Sequence, residues 1–82
     1  MTELPAVTTG RLLRALQRDG FVVHHVSGSH HVLKHPNRPA LRVVVPYHAG
    51  DIKRGTLRSI LRQANLSVAE LIALLWQSDG AF

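Results

Sequence analysis

The sequence predicts an α+β domain: a three-stranded antiparallel sheet with helices on one face, in the order α-β-β-β-α, followed by a C-terminal helix. Three observations predict it. The stretches "GRLLRALQRDG" and "RGTLRSILRQAN" repeat their apolar residues at helical spacing. Between them lie three short runs rich in β-branched residues, divided by Gly28 and by "PNRP". Beyond them "SVAE" opens another apolar run with a helix-start signature. A chain of 82 residues buries one core, so residues 1–82 read as a single domain. Its centre spans about residues 9–66 and its last helix about 67–77.

The elements follow in order. Thr8 or Thr9 is the N-cap of a first helix whose Leu12, Leu13 and Leu16 share one face, and Gly20 supplies the left-handed residue past its end. "FVVHHVS", "HHVLKH" and "ALRVVVP" then read as strands, the last closed by Pro46. Their short connections imply a meander. "YHAGDIK" is a loop. The second helix spaces Leu57, Ile60, Leu61 and Ala64 on a buried face and Arg54, Arg58 and Arg62 on the opposite one, with Asn65 suited to end it. Ser67 and Glu70 fit a capping box for the third helix. Its Val68, Leu71, Ile72, Leu75 and Trp76 exceed one buried face, so this helix is also a candidate contact with a second copy or a partner.

Ten Lys plus Arg against five Asp plus Glu give a net charge of +5, which favours an anionic partner such as nucleic acid. The acids Glu3, Asp19, Asp51, Glu70 and Asp79 leave residues 20–50 without a carboxylate. No cysteine is present, which excludes disulfides and thiolate metal sites and is compatible with a reducing cytosol. "MTELPAVTTG" lacks the basic and apolar regions of a secretory signal, and no apolar segment is long enough to cross a bilayer.

Five of the six histidines fall in "HHVSGSHHVLKHP", His24 to Pro36, which makes this stretch the place to look for chemistry. A zinc site needs three or four suitable ligands. Adjacent residues of a strand point to opposite faces, which is expected to separate His24 from His25 and His30 from His31, and no Cys or carboxylate is at hand. Metal: none is the expectation, as is no other cofactor. A Ser29-His30 nucleophilic pair lacks a group to orient the imidazole. Two-metal nucleic-acid cleavage needs clustered carboxylates, which are missing. Histidine without metal remains. RNA brings its own nucleophile, the 2′-hydroxyl, so cleaving it takes a proton-transfer group, a grip on the phosphate and nearby positive charge. Among the histidines His30 stands out, because it follows Gly28-Ser29 at the start of a strand, where bare backbone lets a phosphate approach. His24, His25 and His35 read as sheet-surface residues, and His48 stays open. Val32 and Leu33 are both apolar, so alternation leaves the face of His30 undecided.

The order helix, "DGF", strand, "GSHH", strand, "HP", strand, "VVVPYH", "KRGTLRSILRQANL" resembles the HicA toxins of bacterial type II toxin-antitoxin systems over about Thr9 to Leu66. "GSHH" alone is a weak signal; followed at these distances by "HP", "VPYH" and "GTLRSIL" it is specific. The resemblance implies a fold like the double-stranded-RNA-binding domain and a cytoplasmic toxin that cleaves mRNA without metal through one histidine. That histidine directly follows Gly-Ser in the family's motif and is His30 here. It also implies a HicB-like antitoxin that covers the active surface. The chain departs from the family at Ile52-Lys53-Arg54, where Leu-Pro-Lys is usual, at Asn65, where Gly is frequent, and in the added helix after Ser67.

The resulting expectation is an endoribonuclease toxin in which His30 is the general acid or base and the Gly28-Ser29 turn admits the scissile phosphate. Lys34, Lys53, Arg54 and Arg58 are the candidate RNA-backbone contacts, each also readable as an ordinary solvated charge. Two alternatives stand beside it. A non-catalytic RNA-binding module would use the same basic surface without needing the histidine, and a histidine metal site would be structural.

Overall fold

The structure, a computed structural model, describes residues 3–77. Helix α1 (Thr9–Arg18) starts where the Thr8 hydroxyl oxygen accepts the Arg11 backbone N–H at 3.3 Å. It buries Leu12, Ala15 and Leu16 and is capped at Asp19. Gly20 follows with φ 111°, and the Phe21 N–H donates back to Leu16 O at 3.0 Å, which swings the chain into the sheet. Gly20 is needed for space as well as for its φ, because a Cβ there would stand 2.5 Å from His35 Nε2.

Strands β1 (Val22–Ser27), β2 (His30–His35) and β3 (Arg38–Pro46) form the predicted antiparallel meander in the order β1-β2-β3. Gly28, at φ 58°, and Ser29 turn β1 into β2. Residues opposite one another share a face, so the register resolves what alternation left undecided. Leu33 lies opposite Val23 and Val43, and His31 opposite Val26 and Val45. Leu33, Val43 and Val45 join Leu12, Leu16, Leu57, Ile60 and Leu61 in the core, so this is the face the helices cover. The other face carries His30 between Ser27 and Pro46, Val32 between His25 and Val44, and Lys34 between Val22 and Arg42. Val32 is also buried, but outside the helix-facing core.

Helix α2 (Arg54–Ala64) buries Leu57, Ile60, Leu61 and Ala64, exposes Arg54, Arg58 and Arg62, and ends at Asn65 in the left-handed conformation, φ 56°. Its Gln63 Oε1 accepts the Val44 N–H at 2.8 Å, which satisfies a backbone donor on the outer side of edge strand β3. The loop between β3 and α2 is tied to the start of α1. There the Ile52 N–H donates to Val7 O at 2.9 Å and the buried Thr9 hydroxyl to His48 O at 3.3 Å. Helix α3 (Val68–Trp76) has both halves of the predicted capping box, with the Ser67 N–H donating to Glu70 Oε1 at 2.8 Å and the Glu70 N–H to Ser67 Oγ at 3.0 Å. It packs on α1 through Leu71 and Leu74, and Arg18 donates to the Leu74 carbonyl at 2.9 Å. Trp76 remains 83% exposed. No described helix is long and apolar enough to cross a membrane.

Candidate active site

The site is built around the β1–β2 turn. Gly28 takes a φ that side chains disfavour, and the Tyr47 N–H donates to Ser29 O at 2.6 Å, fastening the turn to the end of β3. His30 is therefore held at the first position of β2 between two strands, with an exposed side chain. Gly28 and Ser29 are exposed beside it, and the backbone at Gly28 is uncrowded, with nothing within 4 Å of where a Cβ would be. Among the described residues no hydrogen bond or ion pair occupies the His30 ring. A neutral imidazole there is free to take a proton from an incoming group.

Along the same face, Lys34 lies four residues beyond His30 on β2, directly opposite Arg42 on β3. The strands contribute no carboxylate to set against these cations. At the far end from His30, Val22, Lys34, Pro36 and Pro39 line a mostly apolar hollow. Lys53 is the N-cap of α2 and Arg54 its first residue, reached by the loop that leaves the end of β3 paired with His30. Arg58 lies one turn further on and borders a hollow of the helical layer with Leu4, Arg62 and Leu66. The structure thus gathers Gly28, Ser29, His30 and Lys34 along one sheet face and leaves Lys53, Arg54 and Arg58 on a different element. Among the described residues no three His, Asp or Glu side chains are placed to hold a metal ion.

Comparison with known protein families matches residues 10–66 to the HicA toxin of bacterial toxin-antitoxin systems. The chain belongs to the HicA toxin family. It is accordingly the toxin of a toxin-antitoxin system, and a HicB-type antitoxin is the partner this membership implies. No curated protein matches the sequence. The HicA match runs from α1 through the end of α2 and leaves α3 outside it. Where the chain departs from the usual HicA pattern the fold is intact: Lys53 caps α2 without a side-chain hydrogen bond, and Asn65 takes the left-handed turn itself.

Two sequence expectations within this HicA domain are corrected. His35 is not a surface residue. It is 4% exposed, its Nε2–H donates to Asp19 O at 2.8 Å, and its Nδ1 accepts the Asn37 N–H at 3.1 Å. Phe21 meets it edge to face at 4.9 Å between ring centroids. Both nitrogens are committed to backbone groups, so this ring joins the end of α1 to the β2–β3 turn. Nor are His24 and His25 sent to opposite faces. The β1–β2 register slips between Val23 and His25, and the two rings meet at 5.3 Å, with their Nδ1 atoms 3.1 Å apart. A β-bulge breaks the alternation on which the expectation rested. The second pair does separate: His31, half-buried, shares the helix-side face with Val45 and lies 5.3 Å from the Tyr47 ring. His48 is exposed, its Nδ1–H donating to Ala49 O at 2.9 Å.

Arg42 is the site residue that sequence reasoning missed. The signal was present in "ALRVVVP": once Val43 and Val45 face inward, period-two alternation sends Arg42 outward.

Proposed function

We propose that this HicA toxin is a metal-independent endoribonuclease that cleaves mRNA in the cytoplasm on the open face of its sheet, with His30 as the proton-transfer residue. The observation that carries this reading is the position of His30: exposed, uncommitted, and directly after an uncrowded Gly28-Ser29 turn, on a face that also holds Lys34 and Arg42. The turn admits the scissile phosphate. His30 acts on the proton of the 2′-hydroxyl, and the cations hold neighbouring phosphates of the bound strand. DNA lacks that hydroxyl and is not a substrate of this chemistry.

Lys34 and Arg42 grip the backbone further along the same face from His30, and Lys53, Arg54 and Arg58 supply a second set of phosphate contacts. The antitoxin neutralises the protein by covering the same face. A non-catalytic RNA binder would share the cations but would have no use for a free imidazole at the turn.

The test is incubation of purified protein with RNA, with and without EDTA, wild type beside His30→Ala. Cleavage by the wild type and loss of about 100-fold or more in the variant are expected. Cleavage that stops in EDTA contradicts the metal-independent chemistry, undiminished cleavage by the variant contradicts the role of His30, and binding without cleavage by either protein supports the binder.

A further inference from the structure

The bulge in β1 does more than bring two rings together. Val22 pairs with Lys34 and Val23 with Leu33, but the next pair is His25 with Val32, so His24 is the extra residue. Without it, alternation from Val23 would turn His25 toward the helices. With it, His25 joins Val32, Ser27 and His30 on the open face. Bulges commonly re-aim a side chain beside a functional site, and here the re-aimed side chain is an imidazole. Ser27 lies opposite His30 and His25 opposite Val32, which makes His25 and His30 diagonal neighbours, with Cβ atoms about 7–8 Å apart. Both side chains are exposed.

Resting on the ribonuclease reading, we propose that His25 is a second catalytic residue, the general acid of RNA cleavage, and that His24 is its positioning residue. In-line displacement at phosphorus puts the attacking 2′-oxygen and the departing 5′-oxygen on opposite sides, so one proton is taken on one side and another given on the other. Two imidazoles at diagonal spacing on a sheet face stand on both sides of a phosphate laid between them.

Neutral His30 accepts the 2′-hydroxyl proton as the 2′-oxygen bonds to phosphorus. The bond from phosphorus to the 5′-oxygen breaks, and its electron pair goes to that oxygen. Protonated His25 then gives it a proton from Nε2. The products are a 2′,3′-cyclic phosphate and a 5′-hydroxyl, and proton exchange with water restores both rings.

The contact between His24 and His25 fits this assignment. A protonated His25 donates its Nδ1–H to His24 Nδ1 across the 3.1 Å contact and still presents Nε2–H to the leaving group. His30 has no such partner among the described residues, which suits a base. The charged and titratable groups that share the open face with His25 are His24 on its own strand, His30 and Lys34 on β2, and Arg42 on β3. No carboxylate is among them.

The test compares two RNAs of one sequence, one with sulfur replacing the bridging 5′-oxygen at the junction the wild-type protein cuts. A thiolate leaves without needing a proton. His25→Ala and His25→Gln are expected to lower cleavage of ordinary RNA by about 100-fold or more and of the sulfur-bridged RNA by less than about tenfold. His30→Ala lowers both. His24→Ala is expected to lower cleavage less than His25→Ala and to displace the limb of the pH–rate profile belonging to the acid, and His24→Asn, which retains a hydrogen-bonding group, to restore part of it. Circular dichroism verifies that each variant is folded. Equal losses on both RNAs, or none, in folded His25 variants overturn the proposal while leaving the ribonuclease reading in place. Absence of cleavage by the wild type overturns both.

Discussion

The two faces of this sheet are made from the same three strands and from the same kind of side chain, and they are used differently. On the helix-covered face, His31 is half-buried against Tyr47 and the ring of His35 is closed in by Asp19, Asn37, Phe21 and Gly20. On the open face His25 and His30 are exposed, and Lys34 stands opposite Arg42. A histidine whose nitrogens both serve the backbone stabilises a fold and has none left for chemistry. One whose ring is free contributes little to folding and keeps its proton-transfer capacity. Sequence proximity hides this division, because neighbouring histidines fall on either side of it.

Substitutions on the two faces should therefore give separable results. His35→Ala leaves the Asp19 carbonyl and the Asn37 N–H without their partner and opens space beside Phe21. A loss of about 2–4 kcal/mol in urea unfolding is expected, the unpaired groups and the cavity acting together. Stability within about 0.5 kcal/mol of wild type, the range of ordinary surface changes, would break the contrast.

Lys34→Ala and Arg42→Ala are expected to do the reverse, leaving the unfolding midpoint nearly unchanged. In a His30→Ala background that binds RNA without cutting it, each should lower the slope of log affinity against log salt by about 0.7, the value for one single-strand phosphate contact. Arg58→Ala, on the helical layer, should change that slope by less. Equal slopes for His30→Ala alone and for both sheet variants in that background would remove the open face as the RNA surface.

The smallest effect is expected at the start of α3. Glu70 is held below its ordinary value of 4.5 by hydrogen bonds from the Ser67 backbone N–H and then the Ser67 hydroxyl, which outweigh the opposing influence of burial, with Arg38 adding least. The folded value is lower than the unfolded one, so this contribution is present above pH 4.5 and lost as pH falls through the lowered value. Wild-type stability should decline over that acid range more than that of Glu70→Gln, measured by thermal unfolding followed by circular dichroism. Parallel pH curves for the two proteins would contradict it.

Much of this fold is legible in the sequence because its signals are local. Leu57, Ile60, Leu61 and Ala64 declare a buried face by spacing alone, and Ser67 with Glu70 declares a helix start within four residues. The turn before His30 is legible for the same reason. What stays hidden depends on distant partners or on counting. His35 is held by backbone groups at positions 19 and 37, which carry no side-chain signature. The bulge at His24 adds a single residue to "FVVHHVS", whose composition is that of a strand with or without it. The face of His30 is set by register, since Val32 and Leu33 are both buried and only Leu33 belongs to the helix-facing core.

The most direct test of the central claim, that the chemistry belongs to the open face, is the RNA cleavage rate of His30→Ala beside that of His31→Ala, two substitutions one residue apart. A fall of about 100-fold to 10,000-fold is expected for His30→Ala, and for folded His31→Ala a rate within about tenfold of wild type. A larger loss in folded His31→Ala than in His30→Ala would contradict it.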